Sequence, residues 1–115
     1  GLQGYAYVAA YCASKHALVG YTRAAALELA KKGVRANAVC PHYVDSPMTD
    51  ASVARVVETT GRTEEDARAF FASQNPGGAL VQPEEVADAV LDLLTTDATG
   101  RVVELVGDGT AKDTR

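Results

Sequence analysis

A phenol and an ammonium stand four residues apart in Tyr11-Cys-Ala-Ser-Lys15. On a helix that spacing puts both on one face, about 5–6 Å apart at Cβ. A tyrosine left alone, with a pKa of about 10, is a poor general acid or base at neutral pH. A fixed cation beside it favours the phenolate, and a shift of about three units corresponds to about 4 kcal/mol. Tyr11 tuned in this way would protonate a developing alkoxide or take the proton of an alcohol. Lys15 would keep further N–H donors for a sugar hydroxyl. A surface Tyr lying along a Lys stem produces the same pattern, and with five Tyr in 115 residues the spacing alone leaves both readings open.

The surrounding elements must hold that pair. Residues 11–32 are rich in Ala, Leu, Glu and Lys, lack Pro and stop at Gly33, which predicts one helix closed by a left-handed residue. Tyr11, Lys15, Leu18, Thr22, Ala25 and Leu29 recur every three or four positions and share one stripe of it. Residues 34–40 form a run of strand length stopped by Pro41. From residue 41 to 50 the composition turns to Pro, His, Asp, Ser and Thr, which reads as a loop. Helices are predicted at 51–59 and 64–73, the second capped by Thr63 with Asp66 three residues on. Asn75-Pro-Gly-Gly78 breaks the chain. Gln82-Pro83-Glu84-Glu85 then opens a helix to about residue 95, with proline in the first turn, acids at the positive end and Val86, Val90, Leu93 and Leu94 as its apolar face. Residues 101–106 have strand character and end at the turn Gly107-Asp108-Gly109. Helix and strand in this succession point to an α/β fold with parallel pairing, and two strands need neighbours to make a stable sheet.

Composition narrows the partners. A hydrophobic share of 47% with 23% charged residues is that of an ordinary globular chain. Eleven basic against fifteen acidic residues leave a net charge of -4. That speaks against nucleic acid, whose phosphates demand clustered Lys and Arg. No apolar run reaches the roughly 18 residues of a membrane span, and the opening residues carry no secretory signature. Cys12 and Cys40 have neither a CxxC spacing nor a His pair beside them, so zinc is not expected and reduced thiols in a cytoplasmic setting are. Asp45 and Asp50 lack a third ligand for a metal site.

Taken in order, the run Tyr11-Cys-Ala-Ser-Lys-His-Ala-Leu-Val-Gly-Tyr-Thr-Arg-Ala-Ala-Ala-Leu-Glu-Leu-Ala30, then Gly33-Val-Arg-Ala-Asn-Ala-Val-Cys-Pro41, Asp45-Ser-Pro-Met48, Pro83-Glu-Glu-Val-Ala-Asp-Ala-Val90 and Val106-Gly-Asp-Gly109, resembles the classical short-chain dehydrogenase/reductase family. The likeness covers nearly the whole chain and is least distinctive between Ser52 and Ala72. It implies the C-terminal portion of a doubly wound Rossmann-type parallel sheet with helices on both faces. Residues 1–115 would be the C-terminal catalytic part of one domain, with the N-terminal cofactor-binding half absent from this sequence, including the glycine-rich phosphate turn and the catalytic Ser and Asn upstream of Tyr11.

The resemblance also implies roles. Tyr11 takes the place of the catalytic acid/base. Lys15 is its pKa-lowering partner and a ligand of the nicotinamide ribose of NAD or NADP. Pro41, Val44 and Ser46 lie on the loop that lines the nicotinamide, Ser46 where Thr is usual. His42 stands where the family has Gly, a change that alters the permitted backbone shapes; a structural or neutral role is expected of it ahead of substrate contact. Val106-Gly-Asp-Gly109 departs from the usual Val-Asp-Gly-Gly. Cys12 stands where Ser is frequent and has no base to make it a nucleophile, and His16 is expected to face solvent or a neighbouring helix. Tyr5, Tyr7 and Val8 serve either packing or the substrate pocket. The implied reaction interconverts a small-molecule ketone and a secondary alcohol, with 3-oxoacyl and 3-hydroxyacyl thioesters as the first-ranked substrates, in a homo-tetramer or dimer. Alone, the segment is expected to be inactive. The alternative is a truncated, non-catalytic chain acting as an interaction or oligomerisation module.

Overall fold

The computed structural model describes the backbone of residues 9–114 and the side chains of all of these except Tyr11. Helix α1 runs Ala9–Leu29 and tightens into a 3₁₀ turn, Ala30–Lys32. Gly33, at φ 70°, ends it as the sequence predicts: its N–H donates to the Ala30 carbonyl at 3.0 Å, and the Val34 N–H reaches back to the Leu29 carbonyl at 3.2 Å.

Strand β1 is Ala38–Pro41, shorter than the predicted 34–40. The missing residues are committed to other partners. Val34 closes α1, the Ala36 N–H donates to the Thr99 hydroxyl at 3.2 Å, and Asn37 links the Ala98 carbonyl (2.9 Å) to the Arg101 N–H (3.0 Å). Arg35 donates to the Leu93 and Leu94 carbonyls at 3.1 and 3.2 Å. These two carbonyls belong to the last turn of α4 (Pro83–Thr95), so Arg35 supplies the positive charge that this helix end favours.

The region predicted as loop to residue 50 instead starts a helix early. Helix α2 is Pro47–Thr60, because Pro47 has the fixed φ that suits a first helical position and Ser46 occupies the extended cap position before it. Helix α3, Glu64–Gln74, begins as predicted, with the Asp66 N–H donating to the Thr63 hydroxyl at 3.1 Å. Helix α4 is entered through reciprocal bonds between Gln82 and Glu85.

Strand β2, Val102–Leu105, pairs parallel with β1 in the register Ala38↔Val102 to Pro41↔Leu105. A third strand that the sequence did not announce, β3 (Ala111–Thr114), pairs antiparallel with β2. Its residues are largely exposed and hydrophilic, and Arg101 holds Asp113 through two bonds of 2.9 and 2.7 Å. An edge strand of this composition has no apolar alternation by which to be read.

One face of the sheet packs Val103 and Leu105 against Ala89 and Leu93 of α4 and against Val81, with Val39, Val44, Val86 and Ala98 around them. Val90 and Leu94, predicted on the same apolar face, are exposed instead. Helix α1 approaches from the Cys40 side, where Arg23 acts on the Cys40 thiol and Ala26 lies against Gly100. Helices therefore lie on both faces of a small mixed sheet. No described helix is long and apolar enough to cross a membrane.

Candidate active site

Beyond β1 the chain passes through the loop that carries the expected cofactor-binding residues. Pro41 closes the strand without a donor, and the His42 N–H extends the ladder one step by donating to the Leu105 carbonyl at 3.0 Å. Val44 then forms a parallel bridge with Val81: the Val81 N–H donates to Tyr43 at 2.9 Å and the Asp45 N–H donates to Val81 at 2.8 Å. In such a bridge the central residue's own N–H and C=O point away from the partner. Val44 thus turns both groups to the side opposite Val81. Two residues on, Ser46 caps α2 by position, yet its hydroxyl makes no cap bond.

A second clamp comes from Asn75, which is buried. Its Oδ1 accepts from the Tyr43 N–H at 2.9 Å, while its Nδ2 donates to the Tyr43 carbonyl at 2.9 Å and to the Ala79 carbonyl at 2.8 Å. The Tyr43 ring meets Phe71 of α3 edge-on at 5.1 Å. Arg68 of α3 pairs with Asp50 at 2.7 Å and Asp45 at 3.4 Å, tying α3 to the loop and to the first turn of α2.

His42, the residue in the family's glycine position, turns to strand β2. Its Nε2–H donates to Glu104 Oε1 at 2.7 Å, and both side chains are largely withdrawn from solvent, at 13% and 23% exposure. The other Glu104 oxygen accepts from the Thr114 hydroxyl at 3.4 Å. Burial pushes the Cys40 thiol above its ordinary range, the neighbouring Glu104 adds to this, and Arg23 opposes it.

The expected proton-transfer pair lies on α1. Tyr11 and Lys15 are one turn apart on its backbone; Lys15 is half-buried, and the Tyr11 side chain is outside the described residues, as are Tyr5, Tyr7 and Val8. His16 is exposed and its Nδ1–H donates to the Cys12 carbonyl one turn back at 2.7 Å. Neither Cys12 nor Cys40 takes part in a disulfide. A groove of about 630 Å³ runs between β1 and α4, lined by Arg35, Asn37, Val39, Val90 and Leu94 among others, and none of the expected site residues borders it.

The chain has counterparts among known proteins. The family model described as enoyl-(acyl carrier protein) reductase matches residues 1–105. The chain belongs to the short-chain dehydrogenase/reductase family. Among curated members of this family, a putative ketoacyl reductase of Streptomyces coelicolor is 40% identical over 82% of this chain and 36% of its own length. A D-beta-hydroxybutyrate dehydrogenase of Cupriavidus necator is 37% identical over 89% of this chain and 40% of its own. Among solved structures, a short-chain dehydrogenase family protein of Francisella tularensis superposes with a TM-score of 0.84 at 28% identity, over 90% of this chain and 44% of that one. An actinorhodin polyketide ketoreductase with NADPH superposes at 0.79 with 36% identity, over 94% and 43%. The chain therefore spans about two-fifths of the length of the short-chain dehydrogenases it matches.

Two contributors to this site were missed by sequence reasoning. Asn75 reads locally as part of a breaker, and Glu104 as one polar position in a strand. Each acts through a partner 32 or 62 residues away, a separation that no local pattern encodes.

Proposed function

We propose that residues 1–115 carry the proton-transfer part of an NAD- or NADP-dependent oxidoreductase that interconverts a ketone and a secondary alcohol, with 3-oxoacyl/3-hydroxyacyl thioesters as the substrate class. The observation that carries this reading is the loop after β1. The N–H and C=O of Val44 face away from Val81, and the Ser46 hydroxyl is not spent on capping α2. Together they offer the acceptor and donors that a primary carboxamide requires, so the residues present fit a nicotinamide. The bound dinucleotide would supply or accept the hydride.

The chain's own residues do the rest. The Tyr11 phenol gives a proton to the substrate oxygen, or takes one from it. Lys15, one helical turn away, favours the phenolate and donates to the ribose hydroxyls. Pro41 ends β1 so that the loop can turn, and Val44 and Ser46 orient the carboxamide. The name of the ketoacyl reductase relative supports the 3-oxoacyl class, that of the hydroxybutyrate dehydrogenase supports the ketone/secondary alcohol chemistry, and the ketoreductase structure solved with NADPH supports the cofactor. The reading includes a cytoplasmic setting, which two unbridged thiols suit. It also includes assembly into a dimer or tetramer, which the exposed Leu18, Tyr21 and Leu27 of α1 suit.

Residues 1–115 are read as the C-terminal part of a single domain. The intact mass of the natural protein checks that: about 25–28 kDa is expected for a domain of this family's size, and 12.0 kDa would favour a stand-alone interaction module. The chemical role is tested by Tyr11→Phe in the natural protein. Turnover should fall by roughly 10²–10⁴ with cofactor affinity held within about twofold; near-normal turnover would remove Tyr11 from proton transfer.

A further inference from the structure

We propose that His42 and Glu104 form a positioning pair that holds the Val44–Ser46 loop against the sheet and thereby sets cofactor affinity; this rests on the reading that the loop receives the nicotinamide. His42 stands immediately after the last ladder residue of β1, and its backbone N–H makes the final bond from that strand to β2, at 3.0 Å to Leu105. After Pro41, which has no N–H to give, that single backbone bond would leave the chain free to lift from β2. The imidazole adds a second bond to the same strand, 2.7 Å long and largely screened from solvent, where a charge-assisted bond retains most of its strength.

The acceptor is itself fixed. Glu104 lies in the middle of the three-stranded sheet, directly opposite Cys40 on β1 and Lys112 on β3. Its second oxygen accepts from Thr114 on β3, so one carboxylate ties the loop to both other strands. The glycine that the family usually carries at position 42 has no side chain with which to do this. The strand position of Glu104 and the loop position of His42 belong together: either side chain alone would leave a partly buried polar group without its partner.

Val44 and Ser46 begin two residues beyond His42. They are held from the far side by Val81, and Asn75 holds Tyr43 between them and His42. His42 is the side-chain anchor on the β2 side of a loop whose other holds come from Val81, Asn75 and Arg68. Losing it lets the carboxamide-facing groups of Val44 and Ser46 shift, and the loss appears in cofactor binding.

The test uses the natural protein with NADH and NADPH as probes, in His42→Ala, Glu104→Ala, the double variant and Glu104→Gln. Each alanine variant should weaken binding of the preferred dinucleotide by roughly tenfold, the order of one charge-assisted hydrogen bond. The double variant should be no weaker than either single, because both remove the same bond. Glu104→Gln, which keeps an oxygen acceptor for the imidazole N–H, should recover most of the affinity. Additive losses, affinities within twofold of the parent, or a change confined to the substrate KM would overturn the proposal. Amide hydrogen exchange at residues 43–46, read without cofactor, separates this idea from the functional reading. Faster exchange in both alanine variants supports the clamp even if the parent binds neither dinucleotide, a result that would refute only the cofactor assignment. Unchanged exchange overturns the clamp.

Discussion

Replacing Asn75 tests the loop's principal clamp. Its side chain makes three hydrogen bonds: the Tyr43 N–H donates to it, and it donates to the carbonyls of Tyr43 and Ala79. It is only 2% exposed. In Asn75→Ala the Tyr43 N–H loses its acceptor, which costs about 1–3 kcal/mol for a donor left unsatisfied, and Ala79 loses its donor, about 1 kcal/mol. The Tyr43 carbonyl keeps the Val81 N–H, so it adds little. The expected loss is about 2–4 kcal/mol. Asn75→Asp is the sharper variant. One oxygen still accepts from Tyr43, but the other faces two carbonyl oxygens where an N–H₂ stood, so at neutral pH this variant should be less stable than Asn75→Ala. The same crowding raises the introduced carboxyl's folded-state pKa above its unfolded value. The folded state then binds the proton more tightly, and the extra deficit shrinks as pH falls through the raised pKa. Urea unfolding at neutral and mildly acidic pH reads both effects as shifts in midpoint at constant slope. A loss below about 1 kcal/mol in Asn75→Ala, or an Asn75→Asp variant at least as stable as Asn75→Ala at pH 7, would refute this account of the clamp.

Further outcomes follow from the turns. Gly107 has φ +89°, and a Cβ there would collide with the Ala79 carbonyl and crowd Asn75 Nδ2 at 3.2 Å. Gly107→Ala should therefore cost at least roughly 3 kcal/mol, whereas Gly33→Ala, also left-handed but with nothing within 4 Å, should cost only about 1–2 kcal/mol; equal losses in urea unfolding would contradict the steric argument. The Thr110 hydroxyl and N–H, and Lys112 beyond them, hold the Asp108 carboxyl down at about 2. A depressed folded pKa contributes stability above the unfolded value of about 3.9, and that contribution is lost as pH falls towards 2. Asp108→Asn should accordingly flatten the acid limb of the stability curve between about pH 4 and pH 2; parallel curves for parent and variant would count against it.

Local chemistry was legible wherever a local rule decides the outcome. Gly33 ends α1, Thr63 caps α3, and the Gln82-Pro83-Glu84-Glu85 start of α4 stands as read. The boundaries that moved did so because distant groups claimed the backbone. Residues 34–37 look like strand, but the Val34 and Ala36 N–H groups go to Leu29 and Thr99, and the Asn37 side chain binds Ala98 and Arg101. Pro47 was read as a loop residue when its position after an extended Ser46 made it a helix start. Strand β3 could not be read at all, since its exposed, hydrophilic residues have no apolar alternation to mark the ladder they form with β2. Of the expected site, Pro41 ends β1 and Val44 and Ser46 follow on the loop after it, while Tyr11 and Lys15 lie one turn apart on the backbone of α1.

Two of the departures from the family pattern, His42 and the Gly107-Asp108 order, act on neighbouring residues of the same loop. The turn at residues 75–79 packs on the turn after β2 so closely that neither side tolerates a Cβ. At Gly77 one would meet the Asp108 nitrogen at 2.5 Å, and the Gly77 N–H donates to the Val106 carbonyl at 2.9 Å. A glycine directly after Val106 lets the Ala79 carbonyl and the Asn75 amide approach, and Asn75 in turn holds Tyr43. His42 holds the loop's near end through Glu104 on the same strand, β2. Strand β2 contributes no residue to the expected chemistry, yet His42 is held by it directly and Tyr43 through Asn75, which packs on the turn after it. Substitutions in β2 and the turn after it should therefore be felt at the loop bearing Val44 and Ser46 before those on the exposed faces of α2 and α3.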